Sequence, residues 1–296
     1  MWALFSPHLR AADACVTPAR QHLRSGRFEE ELPGMRRVFF WLSLWMCFAA
    51  LTPAMAELRL TPTQAGKIGQ RLWQNECAGT VEGLTSWNKG EDFPSLGIGH
   101  FIWYPRGVRQ TFEESFPAMM AHLRARGATP PAWIADTGAC PWRSREDFLA
   151  DQNGPRLKSL RAYLARTVGL QAEFAAERAR RALPKLLAAA PSSRRAGLQR
   201  QYNAVATTPQ GVYALVDYVN FKGEGLNPAE RYQGRGWGLL QVLEEMKPVK
   251  AGPGAAAEFS AAARRVLGRR IQLAPRPESQ WRAGWFSRCD SYARPF

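Results

Sequence analysis

From position 61 onward, apolar side chains recur three and four residues apart, the spacing of one helix face. Thr61, Pro62 and Gln64 form a capping-box start with proline in the first turn. The segment behind them carries Ala65, Ile68, Leu72 and Trp73 on one side and stops near Ala78 and Gly79. Residues 79–100 lose that period and are rich in Gly, Asn, Asp, Ser and Thr, which predicts turns and short strands, with a strand over 97–103. The helical period returns at Thr111 and Glu114, a second capping box, and runs to about residue 126. Residues 127–143, with Pro130, Pro131 and Pro141, read as a loop, and Ser144 with Asp147 opens a short helix. The Ala-, Leu- and Arg-rich residues 155–189 read as two helices. Further helices are predicted at roughly 192–205, 209–220, 236–246 and 254–267, followed by an irregular tail with Trp281 and Trp285. No internal repeat is present. The expectation is a mainly α (α+β) fold with a small β-hairpin after the first helix.

Residues 1–56 read differently. The longest apolar run covers residues 38–51, too few to span a bilayer comfortably. Met35, Arg36 and Arg37 precede it, and Ala54, Met55 and Ala56 follow as a small-residue exit. That order is a secretory signal peptide over 35–56. Residues 1–34 then read as an extension ahead of the true initiator Met35, and residues 57–296 as one domain. A periplasmic or secreted location follows, with no stable membrane anchor after cleavage.

Composition adds one strong signal. Forty Lys and Arg against 25 Asp and Glu give a formal charge of +15, which favours a polyanionic partner. The Arg-rich stretches at Arg178, Arg180, Arg181, Arg194 and Arg195 carry no nucleic-acid motif and read as a solvated basic face, so no nucleic acid is expected. Three cysteines follow the leader, Cys77, Cys140 and Cys289. An exported chain can form one disulfide, and Cys140 with Cys289 is the expected pair, since both lie in Trp-flanked, loop-like stretches. With no CxxC and only His100 and His122 in the domain, no metal or other cofactor is expected.

The candidate chemistry starts at Glu76, in the last turn of the first predicted helix. The negative end of a helix dipole disfavours a charged carboxylate there, and Trp73 and Cys77 add desolvation. Such an acid retains its proton near neutrality and can protonate a leaving oxygen. A helix-terminal Glu76, a polar hairpin and then Gly97, Ile98, Gly99 and His100 resemble the lysozyme-like superfamily, especially phage-type lysozymes, and a secreted bacterial group within it. That resemblance implies a lysozyme-like helical domain, peptidoglycan as partner, and cleavage of the β-1,4 bond between N-acetylmuramic acid and N-acetylglucosamine, with Glu76 as general acid. It covers about 30 residues of the domain. His100 is then a brace of the hairpin, and Trp87, Trp103 and Tyr104 are candidates to stack on sugar rings.

The second group is open. Ser95 takes the place of the family's threonine, and a hydroxyl there can hold the attacking water. The family's aspartate position is Lys89, so Glu91 or Asp92 would have to serve as base, or act as plain turn residues. If neither serves, Glu76 works alone as in lytic transglycosylases, whose Gly-Leu-Met-Gln is resembled by Gly238 to Gln241. That likeness makes Glu224 a rival acid. Otherwise Asn220, Tyr232, Trp237 and Gln241 form the opposite cleft wall. A monomeric enzyme is expected, with a catalytically silent wall-binding protein as the alternative.

Overall fold

The computed structural model describes residues 58, 60–135 and 138–295, so the expected leader and the extension ahead of it lie outside the described residues. The first helix, α1, covers Pro62–Cys77 with Thr61 as its cap. Thr61 Oγ1 accepts the Gln64 N–H at 3.2 Å, and Gln64 Oε1 accepts the Thr61 N–H at 2.9 Å. This satisfies two N–H groups that a helix start leaves without partners. Thr61→Ala is expected to cost about 1 kcal/mol of stability, read from denaturant unfolding. A loss below a few tenths would show that the cap carries no load.

After a 3₁₀ turn at Glu82–Leu84 come β1 (Thr85–Ser86), β2 (Ser95–Leu96) and β3 (Phe101–Ile102), an antiparallel sheet in the order β1-β2-β3. Thr85 pairs with Leu96 and Ser86 with Ser95, then Ser95 with Ile102 and Leu96 with Phe101. The helices follow as α2 (Phe116–Ala125), α3 (Ala132–Ala135), α4 (Arg145–Ala150), α5 (Pro155–Arg166), α6 (Val168–Ala189), α7 (Ser192–Val205), α8 (Pro209–Lys222), α9 (Leu239–Glu245), α10 (Pro253–Leu273) and α11 (Arg282–Ser291). The mainly α class with a small sheet after the first helix is as the periodicity indicates.

The long helix α6 organises the rest. It packs against α1, α2, α7 and α8. Its buried side is Ala172, Ala175, Ala176, Ala179, Ala182, Leu183 and Leu186, a stripe at three- and four-residue spacing. Small residues on that stripe let α1 and α8 lie close. The other side carries Glu177, gripped by Arg180 at 2.7 Å and Arg181 at 2.8 Å. Those arginines hold the Glu177 carboxyl down to about 2.

Four expectations are corrected. The strand over 97–103 is a turn at residues 97–100 followed by the two residues of β3. Gly97 has φ +72° and His100 φ +47°, values an extended strand does not allow. The helix expected from Thr111 starts at Phe116, because Tyr104 uses the polar groups ahead of it. Tyr104 Oη accepts from the N–H groups of Thr111 and Phe112 at 3.1 and 3.0 Å, and Glu114 Oε1 accepts the Tyr104 N–H at 2.7 Å. The tail is helical over α11. Its buried positions Trp285, Arg288 and Cys289 have helical spacing, but a charge in the stripe breaks the apolar signal. Finally, Cys77, Cys140 and Cys289 are all buried free thiols. Cys140 bonds the carbonyl of Trp142, whereas Cys289 sits inside the α10–α11 packing, so the expected pair does not form.

Candidate active site

Glu76 occupies the last turn of α1, one residue from the helix end. The helix stops when Ala78 turns left-handed, at φ +53°, and its N–H returns to the Trp73 carbonyl. The Trp73 indole donates to the Thr80 carbonyl at 2.8 Å. Trp73 thus secures the turn behind the acid. The side chain of Glu76 is 4% exposed.

Three elements meet on its carboxyl group. From α8, Asn220 Nδ2 donates to Glu76 Oε1 at 3.0 Å. From α11, Arg288 Nη2 donates to the same oxygen. From the turn before β3, His100 Nδ1 lies 3.4 Å from Oε2. Besides the helix end and the burial expected from sequence, the carboxyl has a neighbour the sequence did not indicate, a guanidinium from a distant helix. Behind Arg288 stands Asp217, fully buried on α8. It accepts from Arg288 Nε at 2.7 Å and Nη2 at 2.9 Å, from the Tyr292 hydroxyl at 2.6 Å and from Asn75 Nδ2 at 3.0 Å. Arg288 also lies 4.2 Å from the Phe221 ring, whose other cationic neighbour, Lys222, sits 4.1 Å away. Burial pushes Lys222 well below its ordinary pKa, with Arg270 and Arg288 adding to the effect.

The turn at residues 97–100 is built to deliver His100. A Cβ on Gly97 would lie 2.4 Å from Gln171 Oε1, and one on Gly99 would lie 3.0 Å from Asn220 Oδ1. Glycine lets the turn reach both neighbours. Gln171, fully buried at the start of α6, accepts the Ile98 N–H at 3.0 Å and donates to the Leu164 carbonyl at 2.7 Å. Burial holds the His100 imidazole below its ordinary pKa, with Arg288 adding to that and Glu76 opposing it. Beside it the Cys77 thiol is pushed up to about 12, chiefly by burial and secondly by Glu76, and stays neutral.

His100 and Asn220, which flank Glu76, also line a cleft of about 680 Å³. The 111–115 segment contributes Glu113 and Glu114, α6 contributes Arg178, Arg181 and Lys185, and the loop after α8 contributes Glu224 and Glu230. Arg178 and Arg181, read from sequence as part of a solvated basic face, also line the cleft, with Lys185 beside them. Lys185 Nζ holds Glu224 Oε1 at 2.8 Å. Burial raises the Glu230 carboxyl above its usual value. A carboxyl group held by two donors and approached by an imidazole, beside a cleft that the imidazole and one donor also line, is suited to deliver or receive a proton at one point along the cleft.

The other sequence candidates lie elsewhere. Glu91 accepts from Asn88 Nδ2 at 3.0 Å within its own turn, where burial raises its carboxyl, and Asp92 is exposed. Neither lines the cleft, and neither does the buried Ser95. The expected base and water-holding hydroxyl are thus absent from the cleft wall that His100 and Asn220 form beside Glu76. Trp87, Trp103 and Tyr104 are 5%, 2% and 3% exposed, so no ring face is open to a sugar. Trp87 packs on Phe148, Trp103 stacks on Phe116 and Tyr104 meets Phe93. Tyr232 bonds Glu278 at 2.9 Å and packs on Trp237, which lies under Arg270. Gln241 caps α9, accepting the Gly238 N–H at 2.9 Å and donating to the Gly225 carbonyl at 3.1 Å. Of the opposite-wall candidates only Asn220 lines the cleft.

Asp217 and Arg288 were not singled out from the sequence. Asp217 did carry a signal, since it is the one charge in the apolar stretch 212–219 and a buried charge requires a partner. Arg288 carried none. Among the described residues no cluster of three or more His, Cys, Asp or Glu is arranged for a metal ion. Comparison with known proteins finds no matching family model, no matching curated protein and no matching solved structure.

Proposed function

We propose that this protein is an exported murein-cleaving enzyme that breaks the glycan strand of peptidoglycan, with Glu76 as the group that protonates the leaving oxygen. The observation carrying this reading is the convergence on Glu76 of His100 and Asn220, both of which also line the cleft. A glycosidic bond held across these two residues would lie within reach of the Glu76 carboxyl group. No second carboxylate is needed if the sugar's own 6-hydroxyl closes an anhydro ring, and a hydrolytic route would draw on a carboxylate of the facing wall.

A second reading has Glu224 as the acid. It is favoured by exposure: Glu224 lines the cleft itself, at 25% side-chain exposure, whereas Glu76 is at 4%. The ion pairs do not separate the two, since Lys185 holds Glu224 as Arg288 holds Glu76; what favours Glu76 is that His100 and Asn220 converge on it.

The test is to incubate the purified protein with isolated sacculi and to identify soluble products by mass spectrometry. Release of muropeptides is expected, with reducing ends marking hydrolysis and anhydro ends marking transglycosylation. Glu224→Gln is expected to retain activity within about tenfold of wild type, a loss no larger than one displaced hydrogen bond produces. Loss of release in Glu224→Gln with retention in Glu76→Gln would transfer the role to Glu224. Binding to sacculi without any release by the wild type would make the protein a wall binder.

A further inference from the structure

We propose that Asp217 is a positioning residue for Glu76 and acts through Arg288, whose guanidinium it divides between two carboxylates. The proposal rests on the reading of Glu76 as the reacting group. Asp217 does not line the cleft, and proton transfer at Glu76 has no direct use for it. Yet its two oxygens take four donors: Arg288 Nε and the Tyr292 hydroxyl on Oδ2, Arg288 Nη2 and Asn75 Nδ2 on Oδ1. The two-point contact with Arg288 fixes the plane of the guanidinium. Nη2 is the shared atom, donating both to Asp217 and to Glu76 Oε1. The direction from which Arg288 approaches Glu76 is therefore set by Asp217. Asn75 precedes Glu76 on α1 and binds the same aspartate, so the last turn of α1 and the middle of α8 share one anchor.

Charge gives the second half of the argument. Asp217 is faced by Arg288 and Cys289 from α11, by Tyr292 at the cap of that helix, by Asn75 from α1 and by Tyr213 on its own helix. Arg288 is faced by Asp217, Glu76, Tyr292, Tyr213, His100, Cys289 and, across the Phe221 ring, Lys222. Glu76 is faced by Arg288, Asn220, His100 and Cys77. With Asp217 neutral, Arg288 would lose one of the two carboxylates it holds and lean on Glu76. A cation so committed favours the charged carboxylate and opposes the proton that a general acid must carry.

Asp217→Asn keeps the shape and removes the charge. In the full chain it is expected to lower muropeptide release about a hundredfold at neutral pH, as a misplaced catalytic group does. The upper pH limit of activity is expected to move lower. Arg288→Lys retains a positive charge but cannot span two carboxylates, and a comparable loss is expected. The imidazole titration of His100, followed by nitrogen NMR against His122 as internal reference, is expected to fall to lower pH in Asp217→Asn. That readout needs no activity, so a wild type that releases nothing would end the glycosidase reading and leave this proposal to the titration. A wild-type pH limit with an unmoved His100 titration in folded Asp217→Asn would overturn the proposal. If Asp217→Asn does not fold, full release by Arg288→Lys would overturn it in the same way.

Discussion

Glu76→Gln is expected to abolish release of muropeptides, with a loss of roughly 10²–10⁴-fold, the range that a positioned proton donor contributes. The amide has the shape of the carboxyl group but no proton of suitable acidity. Its oxygen can still accept from Asn220 and Arg288, so the local arrangement survives. Arg288 also retains its two-point contact with Asp217, and the buried charge remains compensated. The variant should therefore melt close to wild type while failing on sacculi, which separates chemistry from folding. Activity equal to wild type would remove Glu76 from the mechanism.

The largest effect on stability is expected from Arg288→Ala. In the wild type the guanidinium lies between Asp217, which is fully buried, and Glu76, whose side chain is 4% exposed. Removing it leaves two carboxylates in a dry interior with no cation in contact. Breaking a buried pair from one side costs about 3–5 kcal/mol, because the charge left behind cannot recover its hydration. For a domain of this size that lowers the melting temperature by roughly 10 °C. Asn75, Tyr292 and Asn220 still donate to the two carboxylates and limit the damage. Adding Asp217→Asn to Arg288→Ala is expected to recover part of the loss, since it removes the more buried orphaned charge. Thermal and urea unfolding of both variants measures this, and a single-variant cost below 1 kcal/mol would show that the pair contributes little.

Most of the helical architecture is readable locally. The capping box at Thr61 and Gln64, the cap at Ser144 and the stripe along α6 are short-range relations, and short-range relations leave a period in the chain. The failures have one physical origin. Thr111 and Glu114 resemble a helix start until the backbone of Tyr104 uses the Glu114 carboxylate and its hydroxyl takes the Thr111 N–H. Trp87, Trp103 and Tyr104 resemble sugar platforms until Phe148, Phe116 and Phe93 cover them. In each case a partner from another segment decides what the side chain does.

The same holds at the acid. The position of Glu76 at a helix end is a consequence of local backbone preferences and can be read from adjacent residues, whereas residues 97–100 read as a strand, and turn only because Gln171 and Asn220 receive them. That Glu76 meets Arg288 cannot be read so, because 212 positions separate them and no periodicity links α1 to α11. Helix caps are settled within a few bonds of the chain. The pairing of buried charges is settled by which helices close around one another, since only there does the loss of water make each charge require its partner.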